Sequence, residues 1–234
     1  MAAEKVIKPW PFYYRLIQTV LYTFYRVCFD FKFFGVENVP DDSRGIIFAS
    51  NHASYLDPPA IGISLKKQIH YLAKEYLFKV FAFGRTLYWL GALPIKSESD
   101  DFRSMRQILR ALKEGKHLVI FPEGTRSLDG QFREVESGAG FLAVKRRAHV
   151  VPVYIQGSFD AYPKGVKCIR CKPVRAYFGK SFIPCEDFDL MGQIEPYLAV
   201  SRRIMDEIKK VKADAENGLY VRRSRSIFVR PGTK

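Results

Sequence analysis

Apolar residues near the start of the chain recur at the spacing of a helix. One face of this predicted helix, over residues 10–31, carries six of them: Ile17, Val20, Leu21, Phe24, Cys28 and Phe31. A narrower polar stripe gathers on another side: Arg15, Gln18, Thr19, Arg26 and Asp30. Eleven aromatic residues lie between Trp10 and Phe34, and a wide apolar surface with Trp and Tyr favours a membrane interface. A helix that covers the protein core is the alternative interpretation.

From about residue 32, short apolar runs alternate with amphipathic segments. The runs predict strands over residues 31–36, 45–50, 70–73, 91–95, 117–121, 150–155 and 174–178. The amphipathic segments predict one helix that begins at Asp57 and others over residues 75–90, 102–114, 138–147 and around 198–211. Strands that alternate with helices indicate an α/β fold, with a mostly parallel central sheet flanked by helices.

The chain divides into three predicted parts. Residues 1–31 form the amphipathic interfacial helix, residues 32–217 the α/β domain and residues 218–234 a basic tail. The tail carries five cationic residues: Arg222, Arg223, Arg225, Arg230 and Lys234. No secretory signal is visible, and the longest uncharged run near the start, residues 16–25, is about half of the ~20 residues that cross a bilayer. We expect peripheral or monotopic association with the cytoplasmic face of a membrane.

The charge balance narrows the choice of partners. The chain has 38 lysine and arginine residues against 24 aspartate and glutamate residues, a net charge of +14. This excess favours an anionic membrane surface, a phosphorylated substrate or nucleic acid. The basic residues are scattered and no nucleic-acid-binding motif appears, so we expect a membrane partner and no nucleic acid. A nucleic-acid-binding protein is the alternative that the charge alone supports.

Cysteine spacing gives little chemistry. Cys168 and Cys171 have CxxC spacing, but no second pair and no nearby histidine completes a zinc site. We interpret these two residues, with Cys28 and Cys185, as free thiols and predict no metal site. A metal or disulfide role for the CxxC pair is the alternative.

A histidine and a carboxylate follow one predicted buried strand. The segment Asn51-His-Ala-Ser-Tyr-Leu-Asp57 places Asp57 five positions after His52. An imidazole, whose ordinary pKa is about 6.5, suits a general base, and a carboxylate on its second nitrogen fixes the tautomer. The alternative interpretation is that His52 is a structural histidine and that Asp57 caps the following helix. His70, His117 and His149 have no such partner in the sequence.

An anion-holding segment follows another predicted strand. Phe121-Pro-Glu-Gly-Thr-Arg-Ser127 combines Glu123, Gly124, Thr125 and Arg126 in a short turn. The planar guanidinium of Arg126 suits a phosphate group, and Glu123 is suited to align a hydroxyl or to balance the arginine. Gly124 permits close approach of a ligand, and its amide is a candidate for contact with an oxyanion. A plain turn after a strand is the alternative.

Together these segments resemble the first motif (NHxxxxD) and the third motif (FPEGTRS) of the glycerolipid acyltransferase family, most similar to its 1-acylglycerol-3-phosphate O-acyltransferases. The resemblance spans about residues 32–180. It implies transfer of a fatty acyl group from acyl-CoA or acyl-carrier protein to the hydroxyl of a lysophosphatidic acid-like lysolipid, giving phosphatidic acid. It implies His52 as base, Asp57 as its orienter, and no cofactor beyond the donor substrate.

Two positions depart from the family pattern. Its second motif usually places an arginine where this chain has Ser97, with Lys96 beside it as a candidate phosphate contact. Relatives often carry a lysine just before Gly138, whereas this chain has Glu136 and Ser137. The family's fourth motif is present as Val151-Pro-Val153. Both departures remove positive charge, so a lysophospholipid or lyso-aminolipid acceptor is an alternative, as is a non-catalytic lipid-binding relative.

Overall fold

The polypeptide chain forms eight helices and eight strands in a computed structural model that describes residues 11–41, 44–95, 101–184 and 195–220. The helices are α1 (Pro11–Phe29), α2 (Asp57–Ile63), α3 (Glu75–Phe78), α4 (Phe81–Trp89), α5 (Asp101–Lys113), α6 (Ser137–Arg146), α7 (Ser158–Ala161) and α8 (Glu195–Glu216). The strands are β1 (Lys32–Phe34), β2 (Ile46–Ser50), β3 (Ile69–His70), β4 (Leu72–Lys74), β5 (Leu93–Ile95), β6 (His117–Ile120), β7 (His149–Gln156) and β8 (Arg175–Phe178). A 3-10 turn, Val36–Asn38, follows β1.

Six strands form the central sheet in the order β1-β8-β7-β2-β6-β3. Adjacent strands in this sheet run parallel, except that β7 and β8 are antiparallel to each other. The predicted α/β fold with a mostly parallel sheet is therefore confirmed. Strand β2 is buried along its whole length, as expected of a parallel strand covered on both faces. Its side chains alternate: Ile46 and Phe48 join the core beneath α1 and α2, whereas Ile47 and Ala49 join the core beneath α5, α6 and α8.

Helix α1 is the predicted N-terminal helix, but it presents a different face to the protein. Tyr14, Tyr25 and Phe29 are buried. Gln18, which we assigned to the polar side, faces the protein and donates to the carbonyl oxygens of Gly62 and Leu65 at 2.8 and 2.7 Å. The opposite side exposes an apolar stripe: Phe12, Tyr13, Leu16, Val20, Phe24 and Val27. No helix in the described ranges has both the length and the apolarity of a membrane span.

Two predicted elements between residues 70 and 90 are wrong. The expected strand over residues 70–73 is divided at Tyr71, because β3 pairs with β6 in the central sheet and β4 pairs with β5 in a separate two-stranded sheet. The expected helix over residues 75–90 is divided between α3 and α4. The helix is interrupted because Val80 has an extended backbone, and Gly84 then lies against the Phe78 carbonyl, where a β-carbon would come within 2.1 Å of the oxygen.

A glycine in α6 sets how closely α8 can approach. A β-carbon at Gly140 would lie 2.0 Å from the Tyr197 carbonyl oxygen and 2.9 Å from the Ser201 amide nitrogen. The Gly140 amide also donates to Ser201 Oγ at 2.9 Å. Both neighbours belong to the backbone of α8, so they cannot rotate away as a flexible side chain would.

We expect Gly140→Ala to lower the free energy of unfolding by about 1–3 kcal/mol, because the added methyl group must push α8 away from α6. Gly138→Ala on the same helix is the matched control. Its β-carbon would lie 3.7 Å from Met105 Cε, an ordinary contact. We expect this variant to raise the free energy of unfolding by up to about 1 kcal/mol, because alanine has the higher helix propensity. Urea denaturation of both variants measures the difference; equal stabilities would contradict the close-packing argument.

Candidate active site

Both sequence motifs lie at the carboxyl end of the central sheet. The loop after β2, residues 51–56, contacts the turn after β6, residues 121–127. The Ser127 amide donates to the His52 carbonyl at 2.7 Å, and the His52 amide donates to Glu123 Oε1 at 3.0 Å. Because β2 and β6 are adjacent and parallel, their ends meet at the edge where open α/β sheets hold their ligands.

His52 and Asp57 form a direct contact. His52 Nδ1 lies 2.9 Å from Asp57 Oδ2, and the amides of Ala53 and Ser54 both donate to the same oxygen at 2.7 Å. Asp57 is fully buried. A carboxylate only accepts hydrogen bonds, so Nδ1 carries the hydrogen of the neutral ring and Nε2 holds the free lone pair. This is the protonation pattern that a general base requires.

The alternative interpretation of Asp57 as a helix-capping residue is wrong. Asp57 is itself the first residue of α2, and no side chain caps that helix. The next two residues, Pro58 and Pro59, have no amide hydrogen to donate to a capping oxygen, and the Ala60 amide donates to the Leu56 carbonyl at 3.1 Å. The carboxylate therefore turns back to the loop, where it meets the histidine ring and two backbone amides.

Two contacts that the sequence analysis did not anticipate hold the motif in place. The His52 ring stacks on Phe121, with ring centroids 3.8 Å apart and an interplanar angle of 14°. Asn51 Nδ2 donates to the Ile155 carbonyl at 3.0 Å, and the Ile155 amide donates to Asn51 Oδ1 at 2.8 Å. The ring thus faces the turn after β6, and the start of the loop is bonded to the neighbouring strand β7.

Glu123 joins the two loops through its carboxylate. Besides the His52 amide, it accepts the Arg133 amide at Oε2, 3.1 Å away. The expected role of Glu123, to align a hydroxyl or to balance Arg126, stays a prediction; within the described chain, each of its oxygens accepts one backbone amide. Only 3% of the residue is exposed. Burial is the main cause that raises the pKa of this carboxyl to about 7, although the two amide bonds act in the opposite direction.

The raised pKa of Glu123 predicts a pH-dependent contribution to stability. Its ordinary value is 4.5, so between about pH 4.5 and pH 7 the unfolded chain releases this proton while the folded protein retains it. The free energy of unfolding therefore decreases as pH rises through that window. Glu123→Gln cannot titrate. From about pH 5 to pH 8, we expect the wild type to lose about 2–3 kcal/mol relative to this variant. Urea denaturation at both pH values measures it; a constant difference would contradict the assignment.

Arg126 and Gly124 occupy the turn after β6. The guanidinium carbon of Arg126 lies 3.5 Å from the centroid of the Tyr55 ring. Gly124 has φ +65°, and a β-carbon there would lie 2.5 Å from the Glu136 carboxyl carbon, so the turn requires glycine. The Gly124 amide donates to the Phe121 carbonyl at 3.0 Å. This amide is therefore engaged within the turn, and its expected contact with an oxyanion stays a prediction. The neighbouring Thr125 amide donates to the Glu123 carbonyl at 2.7 Å.

A cavity of about 390 Å³ opens beside His52. Its walls come from the ends of β2, β6 and β7 and from the last turns of α8. Ser127, Tyr154, Ser158 and Lys212 are among the lining residues. Most of the lining is polar, so the cavity suits a ligand that forms hydrogen bonds.

Some predicted residues fall outside the part of the chain that the structure describes. They are Lys96, Ser97, Cys185 and the five cationic residues of the tail. Cys28, Cys168 and Cys171 are free thiols, and the last two are exposed. The role of Lys96 remains a prediction.

Known proteins are similar to this chain in both sequence and fold. A sequence model of the Acyltransferase family matches residues 30–156. The 1-acyl-sn-glycerol-3-phosphate acyltransferase LPAT1, chloroplastic, of Arabidopsis thaliana is 30% identical over 147 residues, which cover 62% of this chain and 40% of that protein. The 1-acyl-sn-glycerol-3-phosphate acyltransferase of Bacillus subtilis is 35% identical over 127 residues, covering 54% and 62%.

A solved structure extends the comparison to most of the chain. The crystal structure of the 1-acyl-sn-glycerophosphate (LPA) acyltransferase PlsC from Thermotoga maritima has a TM-score of 0.68 and 25% identity, and the match covers 86% of this chain and 80% of that one. The chain spans about half the length of the curated relatives it matches. Since the family model covers more than half of the 234 residues, the chain belongs to the Acyltransferase family.

Proposed function

We propose that this protein is an O-acyltransferase that moves a fatty acyl group from a thioester donor to the free hydroxyl of a lysophosphatidic acid-like acceptor, giving phosphatidic acid in phospholipid biosynthesis. The observation that carries the proposal is the His52–Asp57 pair, at 2.9 Å, beside the turn that holds Arg126. The relatives named as 1-acyl-sn-glycerol-3-phosphate acyltransferases support the choice of acceptor.

The chemistry follows from the orientation of His52. Nε2 takes the proton of the acceptor hydroxyl as its oxygen attacks the thioester carbon. The C–O bond forms first, and collapse of the tetrahedral intermediate then breaks the C–S bond. The departing sulfur receives the proton from the imidazolium. Asp57 stays ionised throughout and stabilises the imidazolium through Nδ1. The acceptor oxygen is itself the nucleophile, so the protein needs no covalent intermediate.

Arg126 is the proposed phosphate contact, with Gly124 and Thr125 shaping the turn around it. A guanidinium–phosphate contact contributes about 1.5–3 kcal/mol as a charged hydrogen bond. We propose acyl-CoA or acyl-carrier protein as the donor and no cofactor or metal. The missing second-motif arginine and the Glu136 carboxylate beside Gly124 keep a lysophospholipid or lyso-aminolipid acceptor as the alternative within the same chemistry.

An acceptor panel tests the proposal directly. Purified protein is assayed with both donors against lysophosphatidic acid, glycerol 3-phosphate, lysophospholipids and lyso-aminolipids, with mass spectrometric detection of the acylated product. We expect the highest kcat/KM with lysophosphatidic acid. A higher kcat/KM with another lysolipid would show that lysophosphatidic acid is not the preferred acceptor. The absence of an acylated product from every combination of donor and acceptor would reject the enzyme assignment.

We also propose that α1 holds the protein on the cytoplasmic face of an anionic membrane. Two features support this: the exposed apolar stripe, which includes Val20 at 60% and Val27 at 78% exposure, and the net charge of +14. Val27→Glu is expected to reduce cosedimentation with vesicles that contain anionic lipid. Ala213→Glu, an exposed position on α8, adds the same charge elsewhere as a control. Equal cosedimentation of both variants would reject α1 as the contact.

A further inference from the structure

Tyr55 and Arg126 bring two separate motifs into contact. Tyr55 lies in the loop between His52 and Asp57, whereas Arg126 lies in the turn after β6. The guanidinium carbon lies 3.5 Å from the ring centroid, well within the ~6 Å range of a cation–π contact. Tyr55 itself is 56% exposed, so the pair lies at the protein surface and not in the core.

The type of contact matters for what Arg126 can still bind. Stacking uses the flat face of the guanidinium, and its N–H groups all point outward in the plane of the group. In the described part of the chain, no carboxylate or carbonyl accepts a hydrogen bond from Arg126. An ion pair with a protein carboxylate would occupy the same donors that a phosphate needs. Tyr55 therefore restrains the arginine while leaving its phosphate-binding edge free.

The backbone around Tyr55 is fixed by the loop that orients the base. On one side, the Ser54 amide donates to Asp57 Oδ2 at 2.7 Å, and Ser54 Oγ donates to the Tyr162 carbonyl at 2.7 Å. On the other side, the Leu56 amide donates to Ser54 Oγ at 3.1 Å. The Tyr55 ring also lies near the Tyr162 ring, with centroids 6.4 Å apart. The position of Tyr55 is thus set by the frame that holds His52.

We infer that Tyr55 is a positioning residue that holds Arg126 for the acceptor phosphate and so sets the preference for phosphate-bearing over uncharged acceptors. This inference rests on the proposed function. It assigns Tyr55 no contact with the reacting atoms. Tyr55 strengthens the binding of the acceptor phosphate to Arg126. It therefore lowers KM for the acceptor and leaves kcat unchanged.

The test compares Tyr55→Leu with Tyr55→Phe and Tyr55→Trp. Tyr55→Leu removes the aromatic face, and we expect KM for lysophosphatidic acid to rise about two- to fivefold at unchanged kcat, the size of an exposed cation–π contact. KM for monoacylglycerol, which lacks the phosphate, should not change. Tyr55→Phe and Tyr55→Trp keep a face and should retain the wild-type KM. Tyr76→Leu, at a tyrosine of similar exposure on α3, is the control for loss of an exposed ring.

A double-mutant cycle separates a direct effect from a general disturbance. In an Arg126→Ala background, Tyr55→Leu should have no further effect on KM for lysophosphatidic acid, because the group that it positions is gone. An unchanged KM in Tyr55→Leu, an equal rise with monoacylglycerol, or additive effects in the double variant would each overturn the inference. Failure of the wild type to acylate lysophosphatidic acid would instead reject the proposed function, so the two failures are distinguishable.

Discussion

Replacing His52 by alanine is expected to lower kcat by about 10²–10⁴-fold, the usual effect of losing a general base. The acceptor hydroxyl then has no nearby group to take its proton as it attacks the thioester. KM for the acceptor should change little, because Arg126 and the turn around it remain. Thiol release from the acyl donor, followed with a chromogenic disulfide, measures both constants.

His117→Ala is the control for this prediction. His117 is the first residue of β6 and therefore lies at the amino end of the parallel strands, whereas the motifs lie at the carboxyl end. Its Nδ1 accepts the Ile46 amide at 3.3 Å. We expect its kcat to stay near the wild-type value. A His52→Ala protein that retains near-normal turnover with an unaltered melting curve would contradict the role of His52 as base.

Asp57→Asn is expected to have an effect of similar size, a fall in kcat of about 10²–10⁴-fold. The amide is nearly the same size as the carboxylate, and its oxygen can still accept the Ala53 and Ser54 amides. It brings no negative charge, however, so the imidazolium that forms during the reaction is not stabilised. In the opposite orientation the NH₂ group takes the place of Oδ2 and faces Nδ1, which favours the wrong tautomer, and the Ala53 and Ser54 amides then lose their acceptor.

The double variant His52→Ala with Asp57→Asn provides the control. If the carboxylate acts only through the histidine, the double variant should be about as slow as His52→Ala alone, because residues that act as a unit give non-additive losses. Multiplied losses would show that Asp57 contributes by another route. Since Asp57 is fully buried, the melting temperature of each variant must be compared first.

The fold was predictable where one local pattern decides the structure. Strand β2 is an apolar run with no competing interpretation, and α5 has a clear apolar face, so both were predicted within a residue or two. The division at Tyr71 was not predictable, since residues 69–73 contain no glycine, proline or other turn signal. Which sheet each half joins depends on partners elsewhere, β6 for the first half and β5 for the second.

The site shows the same division between local and distant information. The spacing of His52 and Asp57 indicated their contact, because both lie on one short loop. The stacking of His52 on Phe121 and of Arg126 on Tyr55 was missed, although all four residues belong to the two recognised motifs. These contacts join loops about seventy residues apart, and only the adjacency of β2 and β6 brings them together. The bond from the Gly124 amide to Phe121 was missed because it depends on the turn conformation.

Asn51 has a consequence for how this site can change during evolution or engineering. Its side-chain amide imitates a peptide unit, offering one donor and one acceptor to the same residue of β7, and so extends the strand ladder one step beyond the backbone of β2. Aspartate has the right length but no hydrogen to offer, and leucine has neither group. Glutamine carries both groups on a chain one methylene too long. Position 51 therefore has no equivalent replacement among the common amino acids, and directed variation of substrate preference should leave it intact.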